Sequence, residues 1–139
     1  MSLAETLKKA VFQESGSPLA IKLAALNTAC LIMIGAAGGH KQVAPENSKL
    51  LKEKKYWTAK QRDRYNKGKF YQLVCSMGLF VVGLHDFRFS QAITVLLFAG
   101  NIMFCLPAYL LAFKNKCSIT MAMPFGGIFM ILGYLLMAF

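Results

Sequence analysis

Acidic residues are scarce in this chain of 139 residues, which holds six Asp and Glu against sixteen Lys and Arg. Charged residues of both signs make up 16% of the sequence, whereas soluble globular domains average about 25%. Hydrophobic residues make up 56%, a fraction that excludes an intrinsically disordered chain. The length corresponds to one domain. The composition therefore does not fit an ordinary soluble domain.

Ionisable residues of the Asp, Glu, Lys, Arg and His types are missing altogether from four long stretches, at residues 23–39, 70–84, 92–113 and 121–139. A helix needs roughly 20 apolar residues to cross a hydrocarbon core of about 30 Å. We therefore expect an all-α four-helix transmembrane bundle, with residues 1–139 forming a single membrane domain. The spans are predicted at about residues 18–39, 70–85, 92–113 and 119–139. The second stretch is short, so its helix is expected to begin further upstream.

The residues before the first span predict a surface helix. Ser2 and Glu5 have capping-box spacing, and apolar residues follow them at helical intervals. We expect an N-terminal amphipathic helix over residues 1–16, lying on the membrane surface. Ser17 and Pro18 have the residue types of an N-cap and first helical position, and predict the start of the first span. No cleaved signal peptide is expected, because the first apolar stretch exceeds the roughly 7–15 residues of a secretory signal.

Positive charge is unevenly distributed among the predicted loops. Ten of the sixteen Lys and Arg residues lie between the first and second spans, and two lie between the third and fourth. The positive-inside bias places both of these segments on the cytoplasmic or matrix side, and both termini on the opposite side. Residues 40–69 are predicted to form a basic loop and a helix that runs from about residue 48 into the second span.

This basic segment has two possible roles. Nucleic acid is not an expected partner, because the segment has neither zinc-ligand spacing nor a Gly-rich RNA-binding motif. It is either a solvated charged helix or a surface that binds anionic phospholipids such as cardiolipin. Each Lys or Arg near an anionic membrane contributes about 1 kcal/mol, and Trp favours the headgroup level. The candidate lipid-contact residues are Lys55, Trp57, Lys60, Arg62, Arg64, Lys67 and Lys69.

Residue patterns that indicate catalysis are few. The four cysteines show no CxxC or Cys/His spacing. The two histidines, His40 and His85, are predicted to end different spans on opposite sides of the membrane, about 30 Å apart. They cannot ligate one metal ion or haem together. We predict no catalytic residue, no metal ligand and no cofactor, and hence no enzyme. The third alternative is an enzyme or cofactor subunit, which would depend on His40 and on His85 with Asp86 alone.

Small and amide side chains within the spans predict helix packing. Gly35 and Gly39 form a GxxxG motif, which permits two helix backbones to approach closely. An amide in a span usually faces the bundle interior and bonds to another helix. The glycines could serve either internal packing of the four helices or docking to a partner. Asn27 and Asn101 could alternatively line a transport path. The predicted helix-packing residues are Gly35, Gly39, Gly126, Gly127, Gly133 and Asn101.

Four motifs, in order along the chain, resemble the small four-span family known as transmembrane protein 256 or domain of unknown function 423. Residues 34–40 resemble the Gly-Ala-x-Gly-Ala-His ending of the family's first helix, and residues 57–59 with 66–70 resemble its lead-in to the second. Residues 104–112 resemble the Tyr-Leu-Leu-Ala ending of the third. Residues 124–127 with 132–135 resemble the Pro-x-Gly-Gly…Leu-Gly-Trp-Leu pattern of the fourth. Where the family usually has histidines, at the start of the second helix, this chain has Gly68, Lys69 and Gln72.

The resemblance implies a four-span fold, membrane residence and, for eukaryotic members, the mitochondrial inner membrane. It carries no catalytic residue over to this chain. With the uncharged spans, it favours a non-catalytic accessory or structural subunit of a multi-subunit inner mitochondrial membrane complex, expected to be of the respiratory chain. Its partners would be other membrane subunits, with the basic loop in the matrix and both termini in the intermembrane space. The alternative is a small transporter or channel for a neutral solute.

Overall fold

A computed structural model describes residues 17–53, 55–114 and 120–139. Within them lie four α-helices: α1 (Pro18–Gly39), α2 (Ala59–Leu84), α3 (Ser90–Lys114) and α4 (Ala122–Leu136). Two strands of two residues each, β1 (Gln42–Val43) and β2 (Tyr56–Trp57), and a 3₁₀ helix at Lys49–Lys52 lie between α1 and α2. The all-α class is confirmed. The amphipathic helix predicted over residues 1–16 lies outside the described residues.

Side-chain caps explain where α1 and α2 begin. The Ser17 side chain accepts a hydrogen bond from the backbone N–H of Ala20, and Pro18 occupies the first turn, where its missing N–H costs nothing. At the start of α2, the Thr58 hydroxyl accepts from the backbone N–H of Gln61, while the Gln61 side chain accepts from the backbone N–H of Thr58. This capping box satisfies two backbone donors that the helix leaves unpaired. As expected, α2 begins well upstream of its apolar stretch.

The segment before α2 differs from the helix predicted from about residue 48. Only Lys49–Lys52 forms a short 3₁₀ helix there, and α2 begins at Ala59. β1 and β2 pair in parallel, with Gln42 opposite Tyr56 and Val43 opposite Trp57. This pairing holds the residues just before α2 in an extended conformation, so helical structure starts only after the Thr58 cap. Backbone pairing between residues distant in sequence thus overrides the local helical pattern.

The helices form an up-down arrangement in which α1 and α3 pack on α2, and α4 packs on α3. The backbone N–H of Ser17 bonds to the carbonyl oxygen of Val82, whereas Tyr65 bonds near the end of α1, so α1 and α2 are antiparallel. One apolar core lies at the end that holds Ser17 and consists of Ala20, Ala24, Leu79, Val82, Ile93 and Leu97. A second cluster, towards the other end, consists of Trp57, Tyr65, Cys105, Tyr109 and Ala112.

The outer surface of the helices is strongly apolar. Many large hydrophobic side chains are exposed, among them Ile32, Met33 and Val95, each about two-thirds exposed or more. Of the polar side chains in the described residues, in contrast, five are buried: Asn27, Gln72, Ser76, Thr94 and Asn101. Both α1 and α3 are long and apolar enough to cross a membrane, and α4 is apolar but shorter. These properties are compatible with a membrane protein.

Candidate functional site

A buried network of amide side chains joins α1, α2 and α3 near the middle of the bundle. The Nδ2 of Asn27 donates to Ser76 Oγ at 2.9 Å and to the backbone oxygen of Gln72 at 3.2 Å. In return, Gln72 Nε2 donates to Asn27 Oδ1 at 3.0 Å. The Nδ2 of Asn101 donates to Asn27 Oδ1 at 2.8 Å, and the Tyr109 hydroxyl donates to Gln72 Oε1 at 2.6 Å. The network thus connects residues from three helices.

Each side-chain nitrogen and oxygen atom of this network has at least one hydrogen-bond partner. Within the described ranges, every buried side-chain nitrogen and oxygen atom has a hydrogen-bond partner. Because a buried polar group without a partner costs about 1–3 kcal/mol, the network favours one relative position of α1, α2 and α3. Gln72 and Tyr109 are members that sequence reasoning did not single out as interacting residues. For Gln72 the available signal was a polar side chain within an otherwise apolar stretch.

A groove of about 250 Å³ lies beside the network, between α1 and α3. Its apolar lining is half-exposed at Leu26, Ile102 and Leu106, so the groove opens sideways onto the apolar surface of the bundle. Its polar lining is formed by the amides of the network together with Tyr109. The complete lining is Leu26, Asn27, Cys30, Ile34, Gln72, Phe98, Asn101, Ile102, Cys105, Leu106 and Tyr109. No residue of this lining carries a formal charge.

The structure separates the predicted lipid-contact residues into two groups, of which Trp57 and Arg62 form the first. Trp57 is only 3% exposed, and its ring packs against that of Tyr65 with centroids 5.1 Å apart. The Arg62 guanidinium donates hydrogen bonds to the carbonyl oxygens of Gly38 and Lys41, and its carbon lies 5.4 Å from the Trp57 ring. Trp57 is therefore not placed to contact a headgroup, because it is buried. Arg62 instead holds the end of α1 against the start of α2.

The second group lies closer to the surface. Lys67 forms an ion pair with Asp63 at 2.8 Å, and both side chains are more than half exposed, so this pair contributes little to stability. The Nζ of Lys69 lies 4.7 Å from the centre of the Tyr65 ring, in cation–π geometry. The other basic candidates are exposed in the case of Lys55 and Lys60, and partly exposed in the case of Arg64.

Tyr65 of α2, whose ring contacts Trp57 and Lys69, also bonds to α1. Its hydroxyl donates to the carbonyl oxygens of Ile34 at 2.8 Å and Gly35 at 3.0 Å. Burial raises the pKa of Tyr65 above its ordinary value of 10.0, while the nearby Arg62 charge acts in the opposite direction. A Cβ atom at Gly38 would overlap the Tyr65 ring. The close approach of Tyr65 to α1 therefore requires glycine at position 38, which the GxxxG motif does not include.

The glycines predicted to pack helices fall into two sets. A Cβ atom at Gly126 would lie 2.7 Å from the backbone nitrogen of Phe104 and 2.8 Å from the carbonyl oxygen of Gly100, so α3 and α4 meet backbone to backbone there. A Cβ at Gly133 would lie 2.9 Å from a methyl carbon of Leu97. Apart from chain neighbours and the adjoining backbone of the same helix, no described atom lies within 4 Å of the Cβ positions of the second set, which is Gly35, Gly39 and Gly127. Space for a side chain is therefore open at these three positions, and contact with a partner there stays a prediction.

The two histidines lie at opposite ends of the bundle. His40 ends α1 near Tyr65, and His85 ends α2 near the start of α1. Among residues 17–53, 55–114 and 120–139, no three His, Cys, Asp or Glu side chains lie close enough together to hold a metal ion.

One comparison with known proteins identifies the family. The family model described as "Protein of unknown function (DUF423)" matches residues 34–127, which is more than half of the chain. The chain belongs to the DUF423 family. The matched DUF423 region includes the β1–β2 pairing, all of α2 and α3, and the close contact at Gly126. Residues 18–33 of α1, Asn27 among them, precede it. Neither the curated proteins nor the solved structures include a significant match to the chain.

Proposed function

We propose that this DUF423 protein is an integral membrane protein with four spans that serves as a non-catalytic accessory subunit of a larger membrane complex. The observation that carries the proposal is the distribution of side chains, with large apolar residues outside and amides inside. Water would strongly disfavour so large an apolar surface, because soluble monomers rarely expose contiguous apolar patches above a few hundred Å². A bilayer favours it, and favours polar side chains that face the bundle interior.

The spacing of charged residues along the helices supports the same proposal. Lys22 of α1 and His40, which directly follows α1, are 18 positions apart, which corresponds to about 27 Å of helix. That length is close to the hydrocarbon thickness of about 30 Å. The 15 residues of α4 cover about 22 Å, a mismatch that bilayers accommodate by local thinning or by anchoring of flanking residues.

A spin label on Cys30 tests membrane residence. Cys30 is exposed on the bundle and lies in the middle of α1, so a label there should face lipid. In reconstituted membranes, with Cys30 as the sole cysteine, we expect frequent collisions of the label with oxygen and few with a water-soluble nickel chelate. A label on a Lys60→Cys variant that lacks the native cysteines is the matched control and should show the opposite preference, because position 60 is exposed in the basic segment. A Cys30 label that collides mainly with the nickel chelate would contradict the proposal.

The subunit role is supported by the outward face of α1. Gly35 and Gly39 have no described neighbour within 4 Å of their Cβ positions, and Ala25, Ala29 and Ala36 are exposed. Small residues at such spacing let another helix approach closely in a membrane, where packing rather than the hydrophobic effect drives association. The face thus has the composition of an interhelical contact surface but no partner among the described residues.

Native electrophoresis of gently solubilised membranes tests this role. We expect the chain to migrate within a multi-subunit band, and a Gly35→Leu variant to leave that band while keeping its own stability. Val95→Leu is the control, because Val95 is an exposed residue on another helix and the change also adds bulk at the surface. If the wild-type chain runs only as a monomer or small homo-oligomer, the accessory-subunit proposal is wrong.

The proposed location is the mitochondrial inner membrane, in a complex of the respiratory chain. Its support is the resemblance stated above and the concentration of Lys and Arg between α1 and α2. The proposed orientation puts this basic segment in the matrix and both termini in the intermembrane space, as the positive-inside bias indicates. An impermeant thiol reagent should modify a Lys60→Cys variant from the matrix side only.

The basic segment is also proposed to contact anionic phospholipids such as cardiolipin. Of the candidate residues, Lys55, Lys60 and Arg64 have exposed or partly exposed side chains and form no ion pair within the described residues. Each would contribute about 1 kcal/mol near an anionic surface. Replacing all three by Gln should reduce cardiolipin retained by the purified protein, measured by native mass spectrometry, whereas unchanged retention would exclude these contacts.

A transporter or channel for a neutral solute is the second candidate, favoured by the amide-lined groove between α1 and α3. In this function Asn27 and Asn101 would bind the solute in the middle of the membrane. An Asn101→Leu variant should then abolish solute flux into liposomes, and unaltered flux would exclude the route.

A further inference from the structure

We propose that the groove between α1 and α3 binds a neutral, lipid-soluble molecule that carries a hydroxyl or carbonyl oxygen. This inference goes beyond the accessory role, and it requires membrane residence but not membership of a complex. It depends on four properties of the groove: its apolar walls, its polar lining, its lack of charge and its size.

The walls indicate an apolar ligand that arrives from the side. Leu26 and Cys30 of α1 face Ile102 and Leu106 of α3 across the groove, and all four are exposed at the surface of the bundle. A molecule already dissolved in the bilayer can reach this opening without passing through water. An apolar body packed between these residues would gain the dispersion contacts that close-packed interiors provide.

The polar lining indicates what the head of the ligand must be. Asn101 is 5% exposed and lines the groove, and its amide has two hydrogens to donate. Among the described residues, its Nδ2 donates one bond, to Asn27 Oδ1. The hydroxyl of Tyr109 donates to Gln72, which leaves its oxygen able to accept. The groove therefore presents one spare donor, at Asn101, and one spare acceptor, at Tyr109. A ligand carbonyl can accept from Asn101, and a ligand hydroxyl can pair with either group.

The absence of charge excludes an ionised head. None of the residues that line the groove is Asp, Glu, Lys, Arg or His. A carboxylate or phosphate placed there would lose its hydration without meeting an opposite charge, which is strongly unfavourable in a buried site. A neutral oxygen loses far less and regains a hydrogen bond from Asn101.

The size of the groove indicates how much of the ligand enters. At about 250 Å³, the groove is smaller than the roughly 300–1,000 Å³ of sites that enclose drug-sized ligands. It therefore takes the head and the first part of the apolar body, and the remainder of the molecule extends into the bilayer along Leu26 and Ile102. A long-chain alcohol has this shape and chemistry.

Photolabelling of the full chain in lipid nanodiscs tests the proposal. The probes are hexadecanol, hexadecane and hexadecanoic acid, each carrying a diazirine at the same position, with labelled residues identified by peptide mass spectrometry. We expect the alcohol to label Leu26, Cys30 or Ile102 about two- to tenfold more than the alkane does, as one neutral hydrogen bond predicts. Excess unlabelled hexadecanol should suppress this labelling but not labelling of exposed Val95. Equal labelling by alcohol and alkane, or stronger labelling by the acid, would overturn the proposal.

Variants that narrow the groove give an independent result. Cys30→Phe should reduce labelling of α3 by the alcohol at least about fivefold, because the new ring occupies the opening next to the site. The matched control is Ile32→Phe, which adds a ring to an exposed position of the same helix that does not line the groove. Leu106→Trp narrows the groove from α3 and replaces Cys30→Phe if that variant does not fold. Labelling that persists in the folded variant shows that the probe was bound elsewhere, and overturns the assignment.

Discussion

Adjacent glycines at the start of α4 provide the sharpest test of how the helices pack. A Cβ at Gly126 would lie 2.7 Å from the backbone nitrogen of Phe104 and 2.8 Å from the carbonyl oxygen of Gly100, whereas a Cβ at Gly127 would meet no described atom within 4 Å. Ordinary van der Waals contact begins near 3.4 Å. An alanine at position 126 must therefore move α4 away from α3 by about 0.7 Å, since both neighbouring atoms belong to backbone and cannot rotate away.

The two variants can be compared directly because their other effects cancel. Replacing glycine by alanine within a helix stabilises it by about 0.5–1 kcal/mol at either position. Overpacking costs about 1–3 kcal/mol and applies to Gly126→Ala only. We therefore expect Gly126→Ala to be less stable than Gly127→Ala by about 1–3 kcal/mol, and Gly127→Ala to match or exceed the wild type.

The assay is reversible unfolding in mixed micelles by increasing the fraction of dodecyl sulfate, followed by circular dichroism. The free energy of unfolding is compared for the wild type and both variants under the same conditions. Equal stabilities of Gly126→Ala and Gly127→Ala would show that α3 and α4 do not approach backbone to backbone at this point. A lower stability of Gly127→Ala would show that α4 is rotated so that Gly127, and not Gly126, faces α3.

Three further predictions concern the junction of α1 and α2. Arg62→Lys should lower the free energy of unfolding by about 1–2 kcal/mol, because lysine cannot bridge the carbonyl oxygens that Arg62 contacts; Arg64→Lys is the control and should be neutral. Gly38→Ala should cost about 1–3 kcal/mol because its Cβ overlaps the Tyr65 ring, and a neutral effect in the same unfolding assay would contradict that contact. Burial raises the pKa of Tyr65 in the folded protein above 10.0. The stabilisation that the protonated Tyr65 gives to the folded state is therefore complete below pH 10, and it is lost as the pH rises through the pKa of the folded state. Stability measured against pH should therefore decline less above pH 10 in Tyr65→Phe than in the wild type, and identical alkaline profiles would refute this assignment.

Much of the fold follows from the sequence alone. Long apolar stretches of this length indicate helices, since a helix pairs each interior backbone N–H with a carbonyl group of its own segment. Ser17 with Pro18 indicated the start of α1, and the structure begins α1 at Pro18. The amides within apolar stretches are predicted to face other helices, because a buried amide needs a hydrogen-bond partner, and Asn101 does bond to Asn27 of α1.

Only the tertiary structure determined which of several neighbouring residues make the contacts between helices. Gly38 and Gly39 are adjacent and chemically identical, yet only Gly38 meets Tyr65, because the rotation of α1 depends on what packs against it. Asn27 and Gln72 are 45 positions apart and meet through the relative register of α1 and α2, which helical periodicity does not specify. The pairing of β1 with β2 likewise overrode a local helical pattern before α2. Local backbone chemistry determines where helices form, whereas contacts between distant segments determine which of their faces become a core, a groove or an outer surface.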